Sequence, residues 1–210
     1  MPNWCSNTAT FTHEDPEQIQ RLIKAAMAGK LFNEFLPCPP ELLEEVPIGD
    51  DYVQRRDALI ARNQELHGYD SWYEWNVDNW GTKWDIGEVD EDCMVKNPDG
   101  KSVSFSFDTA WAPPLGFYDD IEFTVEAYYH EPGMGFCGKW TTEDGDAYYE
   151  VSSEQSIEDI ENSIPSDILE TFNIIDDIRD WQESLAEEDE DELGDIDDAE
   201  DSEHDSEQDI

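Results

Sequence analysis

Lysine and arginine are scarce in this chain, 11 residues against 55 Asp and Glu, for a formal charge of −44. A field of that sign repels nucleic acid and anionic lipid, so neither is expected as a direct ligand, and a partner met through electrostatics has to be basic. The imbalance is not confined to one end. Between Glu183 and Ile210 there are 16 acids and no Lys or Arg, which leaves 39 acids against 11 bases, about −28, for the rest of the chain. Long apolar runs are missing too: none approaches the roughly 18 residues that cross a bilayer. The opening MPNWCSNTATF has neither a basic stretch nor an apolar one, so no signal peptide is expected. Cysteines are few and scattered (Cys5, Cys38, Cys93, Cys137), with no C-x-x-C pair. That spacing argues for reduced thiols in a cytosol. A zinc site built from Cys5, Cys38 and Cys137 with His13 or His130 would lack the paired ligands that closed sites use.

Signatures of catalysis are equally thin. The chain has no G-x-S-x-G, no P-loop and no G-x-G-x-x-G, and the glycines of EPGMGFCG read as a turn between strands. Paired carboxylates carry no information where acids are this abundant. No catalytic residue, metal ligand or cofactor site is assigned, and no enzymatic activity is expected.

What is present is aromatic and periodic. All eight tryptophans lie between Trp4 and Trp181, the stretch that can build a core. Residues Trp4 to Thr12 alternate as a strand does. Asp15 and Pro16 open a helix whose Ile19, Leu22, Ile23, Ala26 and Met27 fall on one stripe before Gly29. Pro37, Pro39 and Pro40 predict extended or turn structure in LFNEFLPCPPELLE. A second helix is predicted over Asp51 to Leu66, with Tyr52, Leu59 and Leu66 on its stripe and Gly68 ending it. Asn97-Pro98-Asp99-Gly100 is a hairpin turn between strands at Asp92–Val95 and Ser102–Phe107. There Val103, Phe105 and Phe107 alternate with serines, so one face is buried. A short helix near Pro114–Ile121 precedes strands at Phe123–His130, Phe136–Thr142 and Ala147–Val151. Ser152 with Gln155 starts another short helix, and a longer one is predicted from Ser166 to Ala186, its stripe docking on the sheet. The expected fold is α+β: an antiparallel sheet with helices on one face, then a C-terminal helix and an acidic tail. The predicted parts are a domain over 1–151, a helical extension over 152–186 and a disordered acidic tail over 187–210.

Five strings in order, MPNWCSN, LFNEFLPCPPEL, WNVDNWGTKWD, TAWAPPLGFYD and AYYHEPGMGFCGKW, resemble the Api92-like, or YubB, ferredoxin-like family of phage and plasmid proteins. They span Met1 to about Val151. The resemblance implies a ferredoxin-like fold and an origin in bacterial mobile elements; it implies no reaction, the family being a domain of unknown function. The pattern does not extend past Val151.

Two sets of residues are candidates for binding. Trp75, Asn76, Asn79, Trp80 and Trp84 concentrate aromatics beside amides, which can stack a base, a sugar or a peptide, or simply fill a core corner. In the tail, Glu187, Glu188, Asp189, Glu190, Asp191, Glu192, Asp195, Asp197 and Asp198 form an anionic run. Extended, the 28 residues from Glu183 reach roughly 95 Å, about 6 Å per charge. Helical, they reach roughly 42 Å, about 2.6 Å per charge, near the ~1.7 Å of a DNA duplex. Three readings follow. The first is a non-enzymatic acidic binding protein that mimics nucleic acid and occupies a basic host protein, such as a defence component. The second is a small-ligand or enzymatic module at Trp75 and Trp80, and the third a protein–protein adaptor without mimicry.

Overall fold

Period-2 alternation builds the sheet of this protein, seen in a computed structural model that describes residues 3–184. Strand β1 (Trp4–Thr12) buries Cys5, Asn7, Ala9 and Phe11 and turns Ser6, Thr8 and Thr10 to the opposite face. After it come α1 (Pro16–Met27), α2 (Leu31–Phe35), α3 (Tyr52–His67) and α4 (Trp72–Trp80). The two-residue strand β2 (Val95–Lys96) precedes β3 (Ser102–Ala110), and α5 (Leu115–Asp120) leads into β4 (Thr124–Glu131), β5 (Phe136–Thr141) and β6 (Gly145–Glu150). The sheet runs β2-β3-β1-β4-β5-β6, every neighbour antiparallel. This is the expected α+β architecture, with one sheet face packed against helices.

The register places Phe11 beside Val103 and Val125, and Ala9 beside Phe105 and Ala127. Those side chains form one cluster with Ile19, Leu22, Ile23 and Ala26 of α1, Phe32 of α2, Trp80 of α4 and Phe117 and Tyr118 of α5. Burying aromatic and branched side chains of this size stabilises the domain by roughly 1.5–3 kcal/mol each. Asp15 caps α1 by accepting from the Glu17 N–H at 2.9 Å, and Gly29 leaves the helix at φ 61°. Only Met27 of the expected stripe lies outside this core, at 39% exposure.

Four local expectations are revised. Before Pro37 the chain fits a helical turn, α2, because the Asp85 carboxylate accepts from the Phe32 and Asn33 N–H groups at 2.9 and 3.0 Å. The second helix is present as α3, but its stripe is not buried: Leu66 is 60% exposed, and Asn63 is the helix's one buried residue. Hairpin strand Asp92–Val95 shrinks to Val95–Lys96, since Glu91–Cys93 forms a tight 3₁₀ turn. The long C-terminal helix is interrupted. Helix α6 (Ile157–Ser163) and α7 (Ser166–Thr171) are followed by Asn173 at φ 52°, and helix resumes over 174–184. Helix α6 starts on Ser156, whose hydroxyl accepts from the Asp159 N–H at 3.1 Å.

The chain divides into two compact units, Met1–Glu150 and Val151–Ile210. No described helix is long and apolar enough to cross a membrane. The acidic candidates Glu187 to Asp198 lie outside the described residues.

Candidate functional site

Helix α4 carries the aromatic and amide residues singled out above, and its geometry sorts them. Trp75 and Trp80 meet edge to face with centroids 5.8 Å apart, and they are only 8% and 1% exposed. The Trp80 indole N–H donates to the Leu36 carbonyl at 2.8 Å, so its one polar atom is satisfied inside the core. Asn79 donates to the Trp75 carbonyl at 2.8 Å, and Asn76, also buried, donates to the Lys83 carbonyl at 2.9 Å. An open pocket at Trp75 and Trp80 is therefore not formed. These two rings fill volume, because a helix one face of which packs on a sheet has to fill it. Trp84 is separated from them and stands at the surface.

The residues that hold Trp84 there explain the amides. Gly81 ends α4 at φ 86°, a left-handed conformation that favours glycine. Thr82 donates its hydroxyl to the Ala110 carbonyl at 2.9 Å, and Asn76 fixes the backbone at Lys83. The segment after α4 is thereby pinned to the end of β3. Because Trp4 pairs with Ala110, the start of β1 arrives at the same point.

The result is an exposed aromatic cluster. Trp84 stacks on Trp111 with centroids 6.5 Å apart at 29°, and Trp4 follows at 6.3 Å from Trp84. Tyr73 meets Trp111 edge-on at 6.3 Å. Trp4 is 49% exposed, Trp84 39% and Tyr73 41%. Trp111 has φ 69°, which is costly for a bulky residue and is held by its N–H donating to the Asn3 carbonyl at 2.9 Å. The Lys83 ammonium lies over this surface, 4.3 Å from the Trp84 centroid, 5.3 Å from Trp111 and 5.5 Å from Tyr73. Three rings thus converge on one cation, an arrangement worth about 0.5–1 kcal/mol at an exposed site and more when water is excluded. Trp4, Tyr73 and Trp111 escaped the sequence reading because only strand pairing brings residues 4 and 111 together.

Beside Trp4 opens a groove of about 460 Å³ lined by Gly87, Glu88, Val89, Asp90, Cys93, Ser106, Phe107 and Asp108. Its carboxylates Glu88, Asp90 and Asp108 are exposed, Asp108 accepting from the Ser6 hydroxyl at 3.0 Å. Elsewhere seven of the described bases meet the chain's own acids. Arg21 pairs with Glu34, Arg56 with Asp57, Arg62 with Glu44, Lys96 with Glu91, Lys101 with Glu14, Lys139 with Glu126 and Arg179 with Asp176.

The thiols divide by burial. Cys93 is exposed, while Cys5, Cys38 and Cys137 are buried and free. Burial pushes the Cys5 thiol up to about 12, with the Glu131 carboxylate adding to the effect, and pushes Cys38 and Cys137 up to about 11. Thiols held in that state are poor nucleophiles at neutral pH. The Asp85 carboxyl is raised by burial against the pull of the amides it caps. Among the described residues no group of three His, Cys, Asp or Glu is arranged to hold a metal ion.

Residues 79–164 match the family described as the ferredoxin-like domain in Api92-like protein. That window holds Trp84, Trp111 and the whole groove except Trp4. No curated protein matches the chain. Among solved structures, a crystal structure of a protein Api92 from Yersinia pseudotuberculosis is similar over 74% of this chain and 100% of that one, at 13% identity and a TM-score of 0.34. A likeness at that score carries no argument by itself.

Proposed function

We propose that this chain, whose residues 79–164 match the ferredoxin-like domain in Api92-like protein, is a non-enzymatic binding protein for a basic protein partner. One observation carries the reading. Seven of the described Lys and Arg residues are drawn into ion pairs with the chain's own acids and Lys83 is held over aromatic rings, which leaves few cations against a large excess of carboxylates for a partner to meet. The finer reading is that the chain comes from a phage or other mobile element and works in the cytoplasm of its bacterial host. There it occupies the nucleic-acid-binding face of a host protein, a defence component for example, as a decoy. The charge of about −28 outside the final segment supports it, since mimicry needs the folded part itself to be anionic.

The test is capture by the immobilised full chain at two ionic strengths, followed by competition with duplex DNA. Partners are expected to be basic and retained at about 0.05 M salt. They should be released at about 0.5 M, where screening shortens the reach of charge to a few ångströms. Displacement by DNA separates a decoy from an adaptor, whose partner would stay bound. Partners that ignore salt would defeat the electrostatic reading.

A further inference from the structure

We propose that the outer edge of β3 is a strand-addition site, where an extended basic peptide segment docks between Ser104 and Ala110 as one more strand of the sheet. The proposal rests on the reading of the chain as a binding protein for cationic partners, and it says where and how such a partner would attach.

Backbone parity carries the argument. In an antiparallel ladder, the N–H and C=O groups of successive residues point alternately to the two sides. The Asn97 N–H donates to the Ser102 carbonyl at 3.0 Å on the β2 side. Thr82 reaches the Ala110 carbonyl from outside the ladder, while the odd-numbered Trp111 donates to Asn3 on the β1 side. Even-numbered residues of β3 therefore face away from β1. Of these, Ser104 pairs with Val95 of β2. Ser106 and Asp108 lie beyond it, each directing one N–H and one C=O outward, and no described strand pairs with them on that side.

The edge is open for a local reason. The 3₁₀ turn at Glu91–Cys93 lifts the chain off β3 just before Met94, which is buried in the core. The preceding segment is tied to α1 instead, Val89 N–H donating to the Ala26 carbonyl at 3.1 Å. The groove of about 460 Å³ lies between that segment and the edge. Between Ser104, held by Val95, and Ala110, whose carbonyl accepts from Thr82, Ser106 and Asp108 offer two N–H and two C=O groups to a peptide strand, enough for a short ladder of four main-chain hydrogen bonds. Unpaired edges of this kind take peptides through main-chain hydrogen bonds, with side chains setting the choice of partner.

Charge decides what fits. Glu88, Asp90 and Asp108 line the groove, and half-exposed Trp4 stands at its end with an indole face that suits a guanidinium. The final segment of the chain, with 16 acids and no Lys or Arg, is repelled from it. Two copies pairing edge to edge would oppose the same carboxylates. The occupant is a strand bearing Arg or Lys.

Cys93 lines the groove and is the exposed thiol among four, so its alkylation in the native full chain reports occupancy. The probe is a six-residue peptide alternating Arg and Val. At about ten times its Kd it should slow iodoacetamide labelling of Cys93 about tenfold. The same peptide N-methylated at alternate residues cannot complete the ladder and should leave labelling within about twofold, as should a peptide with Glu for Arg. Ser106→Pro removes an outward N–H that β1 does not use, so the sheet should survive and protection should be lost. Equal protection by the N-methylated peptide would overturn strand addition and leave the cationic reading standing. Equal protection by the Glu peptide would do the reverse. No protection by any of them at about 1 mM, a Kd too weak for a specific complex, would overturn the site.

Discussion

Replacing Gly138 by alanine should unlock one corner of the sheet, and the geometry sets how much this costs. Gly138 of β5 pairs with Tyr129 of β4, and the phenol lies across the glycine to donate to the Asp146 carboxylate at 2.7 Å. A Cβ at residue 138 would overlap the phenol at Oη and Cζ and come within 2.6 Å of the Ala147 carbonyl oxygen. The carbonyl belongs to the β5–β6 ladder and cannot retreat, so the ring must leave. Overpacking of this kind costs about 1–3 kcal/mol, and the lost charge-assisted hydrogen bond up to about 1.5–3 more. The two effects share one side chain, so about 2–4 kcal/mol in total is expected, a fall in Tm of roughly 5–15 °C for a domain this size. Guanidinium melts measure the energy, and tyrosinate absorbance after a rapid pH jump identifies the residue. In the native chain burial, then the hydrogen bond to Asp146, raises the Tyr129 phenol well above its ordinary range, and burial does the same to Tyr118. In Gly138→Ala, one additional phenol should ionise near the ordinary value of about 10. A variant within about 0.5 kcal/mol of the parent, with no added tyrosinate, would refute the packing argument.

Three further outcomes test the remaining claims. Trp80→Ala should cost about 3–5 kcal/mol by chemical denaturation, whereas Trp84→Ala at the surface should cost under about 1 kcal/mol; equal losses would mean that the two rings share one environment. Gly116→Ala brings a Cβ to 2.5 Å from the Asn79 carbonyl oxygen, which should force α4 and α5 apart and lower stability by about 1–3 kcal/mol, read as a shifted denaturation midpoint. For Cys5, a folded value near 12 against 9.0 for the free thiol leaves about 1,000-fold less thiolate at pH 8, so pulse alkylation followed by mass spectrometry should mark Cys93 and spare Cys5. The sign of the linkage follows: the stability this thiol contributes is complete below about pH 9 and is lost as pH rises toward 12, so melting temperature should fall across that window, and less so in Cys5→Ala if that variant folds.

Much of the architecture was legible because it rests on local patterning. Helix α1 is announced by Asp15-Pro16 and its apolar spacing, β1 and β3 by alternation, and the β2–β3 hairpin turn by Asn97 to Gly100. These signals act within a few residues, so they survive in one dimension. Tertiary partners decided the rest. Nothing near Leu31 reveals that Asp85, more than fifty positions on, will cap a helical turn there. A tryptophan pair at 75 and 80 reads alike as core or binding surface until packing shows which face meets the sheet. The aromatic cluster needed Trp4 and Trp111 to be joined by the β1–β3 pairing, and the open edge of β3 needed the 3₁₀ turn that cuts β2 to two residues. Charge, by contrast, adds up whatever the fold, so composition alone determined the sign of the field that this chain presents. Where that partner could dock depends on which backbone groups are left unpaired, and only the assembled sheet decides that.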